Sequence, residues 1–209
     1  MGIENFITFA ISALFFIMTP GLDTIFVLNK SIGQGRKSGI YASLGINTGV
    51  LTHTLFAALG LSVVLAQSNT AFALIKYAGA IYLIYLGIVA LVKRNDSLQI
   101  QEQMGIQQSS KKDFWSGFLT NTLNPKVALF FIAFFPQFIT ANEVKNPVPY
   151  ILLGCTYAVI GVVWCVVLAF FASGFSIKIK NNPNTGVWLN KIGGLVFVLM
   201  GLKIALSVV

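Results

Sequence analysis

Charge is scarce in this sequence, and negative charge is scarcest. Only 10% of the 209 residues are charged, and six of them are acidic. Soluble domains carry about 25% charged residues, so this chain has too little charge to cover a surface that faces water. Hydrophobic residues make up 56% of the chain, and its mean hydropathy is +0.81. The composition therefore excludes an ordinary soluble domain and indicates a membrane protein.

Cysteine and histidine are nearly missing too. Cys155 and Cys165 lie ten residues apart on one predicted helix. That is about 15 Å along its axis, too far for a disulfide within the helix. An intramembrane enzyme would need a catalytic set such as two facing aspartates, or a serine with a histidine, and no such set is evident. We predict no enzyme, no metal site and no cofactor.

Long apolar runs fill most of the chain. About 20 apolar residues in a helix cross the hydrocarbon core of a bilayer. Six runs reach that length, at roughly residues 5–28, 39–66, 70–92, 114–140, 149–172 and 188–208. Short strands of alternating polarity, which would indicate a membrane barrel, are missing. The sequence predicts an all-α polytopic membrane protein with six transmembrane helices.

The basic residues alternate between the predicted loops. Ten of the fourteen lie in the first, third and fifth loops, namely Lys30, Arg36, Lys37, Lys93, Arg94, Lys111, Lys112, Lys178, Lys180 and Lys191. The positive-inside rule places these loops in the cytoplasm and both termini outside. Because topology accounts for the net charge of +8, we predict no nucleic-acid partner.

Glycine spacing repeats in the two halves of the chain. Gly79 and Gly87 are eight residues apart, and so are Gly193 and Gly201. A proline also interrupts the first span of each half. A half with three spans ends on the opposite face of the membrane from where it begins. The second half would therefore have the inverted orientation, as in many secondary transporters. The alternative is that glycine and proline are simply common in membrane helices.

We accordingly divide the chain into two inverted three-helix repeats, at residues 1–94 and 114–209. The only long polar stretch, residues 95–113, is predicted to be a cytoplasmic linker between them. Its composition favours a mobile connection over a catalytic segment.

Polar residues interrupt the first span at Thr19, Pro20, Gly21 and Asp23. Proline removes a hydrogen-bond donor and clashes with the carbonyl four residues earlier, and the adjacent glycine lets the chain open further. Lipid offers no partner to the freed backbone groups, so the break must face protein or water. Asp23 is the only acidic residue that we place inside a span, and it lies one turn from Thr19.

The fourth span contains a similar break. Asn121, Asn124 and Pro125 have the spacing of one helical face, and Lys126 follows. A charge at the centre of a span costs about 2.5–3.5 kcal/mol, so Lys126 needs a partner or a hydrated cavity. Two breaks at similar depth predict a polar chamber, while Gln137 marks where this span reaches the outer surface.

The second span contributes two further candidates, Asn47 and His53. Asn47 shares a polar helical face with Ser43 and Thr54. His53 is the only histidine, and its ordinary titration range suits a proton relay. A hydrogen-bonded structural histidine is the alternative for this residue.

Several segments together resemble one known family. They are "TPGLDTIFVL", "GRKSGIYASLGINTG", "YAGAIYLIYLG", "LNPKVALFFIAFFPQF" and "GGLVFVLMGL". In order and spacing they resemble the LysE/RhtB family of bacterial amino-acid exporters, with the homoserine/threonine/leucine-type branch closer than the lysine-specific one. The resemblance implies a multi-pass protein of the bacterial inner membrane that exports amino acids, driven by the proton gradient.

The same resemblance implies functional positions in the two broken spans. They are Pro20, Gly21, Asp23, Asn124, Pro125 and Lys126. The sequence departs from the family pattern at Leu22, where a second proline is usual. The partners implied are a small amino acid, protons and the lipid bilayer, with a homo-oligomer left open.

The residue chemistry suits a zwitterionic substrate. Lys126 and the N-termini of half-helices could hold its carboxylate, while Asp23 and freed carbonyls could hold its ammonium. We expect Asp23 and Lys126 to form a compensating charge pair, and Leu14, Phe130 or Phe131 to line a pocket for a neutral side chain. The predicted function is export of small neutral amino acids in exchange for protons, with a passive channel as the alternative.

The topology gives a first test. A reporter enzyme fused to the C-terminus should be active outside the cytoplasm, and one inserted within residues 95–113 should be active inside it. A C-terminal fusion with a cytoplasmic signal, or evidence for five spans, would contradict both the orientation and the inverted repeat.

Overall fold

The computed structural model describes residues 2–19, 21–62, 69–92, 109–181 and 184–206. Helices dominate these ranges, and their one β-feature is an isolated bridge between Ile3 and Ile139. The main helices are α1 (Phe6–Met18), α2 (Leu22–Gln34), α3 (Arg36–Phe56), α4 (Asn69–Val92), α5 (Ser110–Thr122), α6 (Pro125–Phe134), α7 (Pro147–Asn181) and α8 (Asn184–Leu206). A π-helical turn, Ala57–Leu61, extends α3, and short 3₁₀ turns at Phe135–Phe138 and Ala141–Glu143 follow α6. The all-helical class is confirmed.

Within the described ranges, two helical stretches are long and apolar enough to cross a membrane alone, Arg36–Gly60 and Pro147–Ala172. Two bent pairs also qualify when each pair is counted as one span: α1 with α2, bent by 54°, and α5 with α6, bent by 51°. The described chain thus offers two to four spans. The six-span topology and the placement of the termini stay predictions.

The break in the fourth span follows from local backbone chemistry. Asn124 is the N-cap of α6, and its side-chain oxygen accepts a hydrogen bond of 3.1 Å from the backbone N–H of Lys126. Pro125 occupies the first helical position, where its missing N–H costs nothing and its fixed φ suits a helix start. The sequence therefore ends α5 and restarts the chain as α6 at the predicted place.

In the first span, α1 ends at Met18 and α2 begins after the N-cap residue Gly21. Pro20, which we predicted to cause this break, lies outside the described residues, as do residues 95–108 of the predicted linker.

Two apolar clusters occupy the two ends of the bundle. The aromatic cluster joins α1, α6 and its 3₁₀ extension to α7 through Phe9, Phe16, Phe130, Phe131, Phe134, Phe135, Phe138 and Tyr157. The smaller aliphatic cluster joins α2, α3 and α7 through Val27, Leu28, Ile46, Cys165, Leu168, Ala169 and Ala172. The helix breaks lie between these clusters, so a polar region separates two apolar ones.

Glycines allow α4 and α8 to approach closely. A Cβ added at Gly87 would lie 2.6 Å from the backbone oxygen of Gly194, and one added at Gly201 would lie 2.8 Å from that of Ala80. Small residues of this kind let membrane helices pack backbone against backbone. The spaced glycines of the sequence thus serve helix packing.

Substitution of Gly87 tests this packing. Gly87→Ala should lower the unfolding temperature of the protein in detergent, because the extra methyl forces backbone apart at a cost of about 1–3 kcal/mol. Gly60→Ala is the matched control, since a Cβ there meets nothing within 4 Å. Equal unfolding temperatures for the two variants would contradict the close approach of α4 and α8.

Candidate functional site

A small cavity with both polar and apolar walls lies where the two helix breaks meet. Its walls come from α1, α2, α3, α5, α6 and α7 and from the two breaks. The cavity volume is about 30 Å³. That is room for one or two water molecules, so a larger molecule can enter only when the helices separate.

The carboxylate of Asp23 is held by the opposite break. Asp23 lies in the first turn of α2, and its two oxygens accept hydrogen bonds from the side-chain amides of Asn121 (2.8 Å) and Asn124 (3.2 Å). A buried polar group needs such partners because water cannot reach it freely. The structure thus brings together three residues that the sequence placed on two separate spans.

The ammonium of Lys126 occupies another wall of the same cavity. It donates a hydrogen bond of 3.4 Å to the backbone carbonyl of Thr19, and it lies 4.5 Å from the ring centroid of Phe16. Thr19 follows the last residue of α1, so its carbonyl is one that the break has freed. The ring adds a cation–π contact. A freed carbonyl and an aromatic face therefore compensate the charge of Lys126.

The expected direct charge pair is not formed. Asp23 and Lys126 are both described, yet the ion pair found in the described chain joins other residues, Lys30 and Asp113. The reason is geometric, since the amides of Asn121 and Asn124 already occupy the Asp23 oxygens while Lys126 reaches toward the end of α1. The two opposite charges line one cavity as separate groups.

Gly21 brings a helix N-terminus to the cavity. It is the extended N-cap residue of α2, and no side chain caps this helix end. A Cβ added at Gly21 would lie 3.4 Å from the ammonium nitrogen of Lys126. Uncapped amides at the start of α2 and a nearby cation together form a positive environment on this side of the cavity.

Asn47 also lines the cavity, from α3. Its side-chain amide donates a hydrogen bond of 2.9 Å to the backbone carbonyl of Ser43, one turn earlier. Thr19, Gly21, Asp23, Asn47, Asn121, Asn124 and Lys126 are thus brought together at one cavity.

Three predicted site residues do not line the cavity, namely Pro125, His53 and Gln137. Pro125 is exposed at the start of α6. His53 is buried behind Asn121, with its Nε2 3.0 Å from the Asn121 backbone oxygen and its ring 5.7 Å from that of Phe131. This geometry favours the structural alternative, in which His53 supports Asn121 from outside the cavity. Gln137 lies in the 3₁₀ turn after α6 and does not line the cavity.

The wall formed by α7 was not predicted from the sequence. Tyr157, Gly161, Trp164 and Cys165 have helical spacing and all face the cavity. Their spacing on one apolar span was visible, but nothing in the sequence distinguishes this face from a lipid-facing one. Phe16, Ile46 and Val50 supply further apolar wall.

The residues suggested for a side-chain pocket need correction. Phe130 and Phe131 are buried within the aromatic cluster, and Leu14 is 39% exposed on the outside of the bundle. Their ring neighbours Phe16 and Tyr157 are the members of the aromatic cluster that reach the cavity. The difference arises because α1 and α6 turn their phenylalanines toward each other, which fills that space with rings.

Broken membrane helices that meet around a polar cavity are typical of helical transport proteins. The LysE type translocator model matches residues 14–208. The chain therefore belongs to the LysE translocator family, a family of membrane transporters.

Similar proteins cover nearly the whole chain. The uncharacterized membrane protein YrhP of Bacillus subtilis (strain 168) is 35% identical over 202 residues, which cover 93% of this chain and 95% of that protein. The leucine efflux proteins of Enterobacter sp. (strain 638) and Klebsiella pneumoniae (strain ATCC 700721 / MGH 78578) are 27% and 29% identical. Each covers 98% of this chain, which in turn covers 96% of each protein. No solved structure matches the chain significantly.

The role of His53 can be tested with two variants. His53→Gln keeps a hydrogen-bond donor near the Asn121 carbonyl. It should therefore keep any response to a pH gradient that the unsubstituted protein shows. His53→Leu removes one partner of that carbonyl, which still accepts from the backbone N–H of Asn124. The loss of one hydrogen bond, about 0.5–1.5 kcal/mol, should lower the unfolding temperature. If His53→Gln were normally abundant yet lost its response to the pH gradient, His53 would be a proton carrier.

Proposed function

We propose that this protein is a secondary active transporter that exports small neutral amino acids across the bacterial inner membrane in exchange for protons. One observation carries the proposal: a carboxylate and an ammonium line the same cavity, where two broken helices meet, without pairing directly. That arrangement complements a zwitterion. The names of the two leucine efflux proteins support an amino-acid substrate.

The carboxylate of the substrate would bind on the Lys126 side. The ammonium of Lys126 and the uncapped amides at the start of α2 attract an anion there. To bind it, Lys126 exchanges the Thr19 carbonyl for a charged partner. Such charge-assisted hydrogen bonds are shorter and stronger than bonds between neutral groups.

The ammonium of the substrate would bind on the Asp23 side. The Asp23 carboxylate offers two acceptor oxygens, and the Thr19 carbonyl becomes free once Lys126 has turned to the substrate. Val50, Tyr157 and other apolar residues complete the wall. A substrate side chain that carried a charge would find no partner among them, which favours neutral amino acids.

Exchange with protons would follow from the hydrogen bonds of Asp23. A protonated Asp23 donates through one oxygen, so it can no longer accept from both asparagine amides. The substrate ammonium and a proton therefore compete for the same carboxylate. Loading one requires release of the other, which is the condition for antiport.

Corresponding contacts in the two halves support the inverted repeat. Gly79 of α4 packs against Ala133 in the 3₁₀-extended half of the fourth span, and Gly193 of α8 packs against Thr19 at the end of α1. Each third helix thus contacts the broken span of the other repeat. Related contacts of this kind are what a pseudo-two-fold arrangement produces.

The passive channel is the less favoured alternative. A channel needs a continuous polar path, whereas the aromatic cluster fills the space on one side of this cavity. Net accumulation of substrate against its gradient would exclude a channel outright.

Two substitutions test the mechanism in proteoliposomes with labelled leucine and other neutral amino acids. Asp23→Asn keeps a polar group, so it should support counterflow at reduced substrate affinity, because the substrate ammonium loses its charged partner. It should lose accumulation driven by a pH gradient. Lys126→Met should weaken substrate binding about 10- to 100-fold, since it removes a charge-assisted hydrogen bond of about 1.5–3 kcal/mol.

Lys111→Met is the matched control, because Lys111 is an exposed lysine outside the cavity. It should leave both binding and accumulation unchanged. If Asp23→Asn, at normal abundance, kept its full response to the pH gradient, Asp23 would not carry the proton.

A further inference from the structure

Two polar contacts join α2 to α5, which run antiparallel. At the cavity, Asn121 near the end of α5 donates to Asp23 at the start of α2. At the other end of α2, Lys30 forms an ion pair with Asp113 at the start of α5. Asp23 and Lys30 are seven residues apart, about 10 Å along the axis, and lie on the same face of α2. One helix face therefore carries both contacts.

The second contact is a buried network. The Nζ of Lys30 lies 2.7 Å from Oδ1 of Asp113, whose side chain is only 1% exposed. Ser38, near the start of α3, donates a hydrogen bond of 2.7 Å to the other carboxylate oxygen. Gln34 accepts a hydrogen bond from Lys30 (3.4 Å), and its side-chain oxygen lies 3.1 Å from the Ser38 hydroxyl oxygen. Three helices thus meet at one carboxylate.

This ion pair lies between the cavity and one end of the bundle. The same end carries exposed Arg36, Lys37, Lys111 and Lys112, the basic residues that predict the cytoplasmic face. Beyond the cavity in the other direction, α1 and α6 are joined by the aromatic cluster. On one side of the cavity the aromatic cluster joins the two broken spans, and on the other side the Lys30–Asp113 ion pair joins them.

We propose that Lys30 and Asp113 are positioning residues that control access to the cavity from the cytoplasmic end. Their ion pair holds α2 against α5, and the substrate enters when it separates. The inference rests on the proposed transport function, because it assigns the pair to one step of alternating access. Lys30 and Asp113 themselves do not line the cavity.

An ion pair suits a contact that must open and close. Burial removes hydration from both charges, and their attraction repays much of that loss only while the geometry holds. When α2 and α5 separate, water solvates both groups again. Removal of one partner leaves a buried charge that favours the open arrangement, whereas replacing both by apolar side chains favours the closed one. The two kinds of variant should therefore act in opposite directions.

The chain contains its own reporter of opening. Cys165 is buried, lines the cavity and belongs to the aliphatic cluster on the ion-pair side. In a Cys155→Ser background it is the only thiol, so alkylation by a membrane-impermeant maleimide measures water access to the cavity. Labelling of a separate Lys111→Cys variant shows which vesicle orientation exposes the ion-pair end.

In that orientation, Asp113→Asn should raise the rate of Cys165 alkylation about tenfold or more, since a lone buried Lys30 ammonium disfavours closure. In the double variant Lys30→Met with Asp113→Leu, the rate of Cys165 alkylation should be equal to or below that of the Cys155→Ser background. The exchanged pair, Lys30→Asp with Asp113→Lys, should return it toward the background value. In the opposite orientation the rates should not change.

An unchanged rate in Asp113→Asn, or an equal rise from both faces, would overturn the inference. If the Asp113→Asn protein is not produced in normal amounts, Ser38→Ala tests the same inference. It removes one hydrogen bond to Asp113 and should raise alkylation from the ion-pair end only. Alkylation needs no transported substrate, so these outcomes stand even if Asp23→Asn and Lys126→Met refute the proposed transport mechanism.

Discussion

A carboxylate inside a membrane protein needs hydrogen-bond donors, and the arrangement of this structure depends on how Asp23 obtains them. Asn121 and Asn124 can reach Asp23 only because the fourth span breaks between α5 and α6. Asp23 in turn starts α2 only because the first span is interrupted after α1. Each break therefore exposes polar groups that the other break satisfies. Neither would be tolerated against lipid, where freed backbone groups have no partner.

The two sides of this polar centre are closed by different physical forces. The aromatic cluster depends on dispersion and burial of ring surface, which are strong in total but set few exact directions. The Lys30–Asp113 pair depends on alignment, because a charge displaced by a few ångströms loses its partner while it is still poorly hydrated. Water can therefore separate the Lys30–Asp113 pair while the aromatic cluster stays packed.

Local chemistry made much of this predictable from sequence. The Asn-Pro pair fixed the start of α6, and the scarcity of acid inside the spans singled out Asp23. Contacts between distant segments were not predictable in the same way. Lys30 and Asp113, 83 residues apart, looked like ordinary loop charges. The residues of α7 that line the cavity have the same composition as a lipid-facing helix face. Lys126 was expected to pair with Asp23, but sequence spacing does not show which polar groups lie nearest to a charge.

The geometry of α2 links the cavity to the Lys30–Asp113 ion pair. Asp23 and Lys30 lie on one face of a single helix, and both are bound to α5. A rigid helix cannot lose its contact at one end without straining the contact at the other, since seven residues span only about 10 Å. If a proton or a substrate ammonium displaced the Asn121 amide from Asp23, as the proposed exchange requires, α2 would be held to α5 chiefly at Lys30. In the proposed transport cycle, occupancy of one carboxylate would thereby bias whether the ion-pair end opens, because α2 carries both contacts.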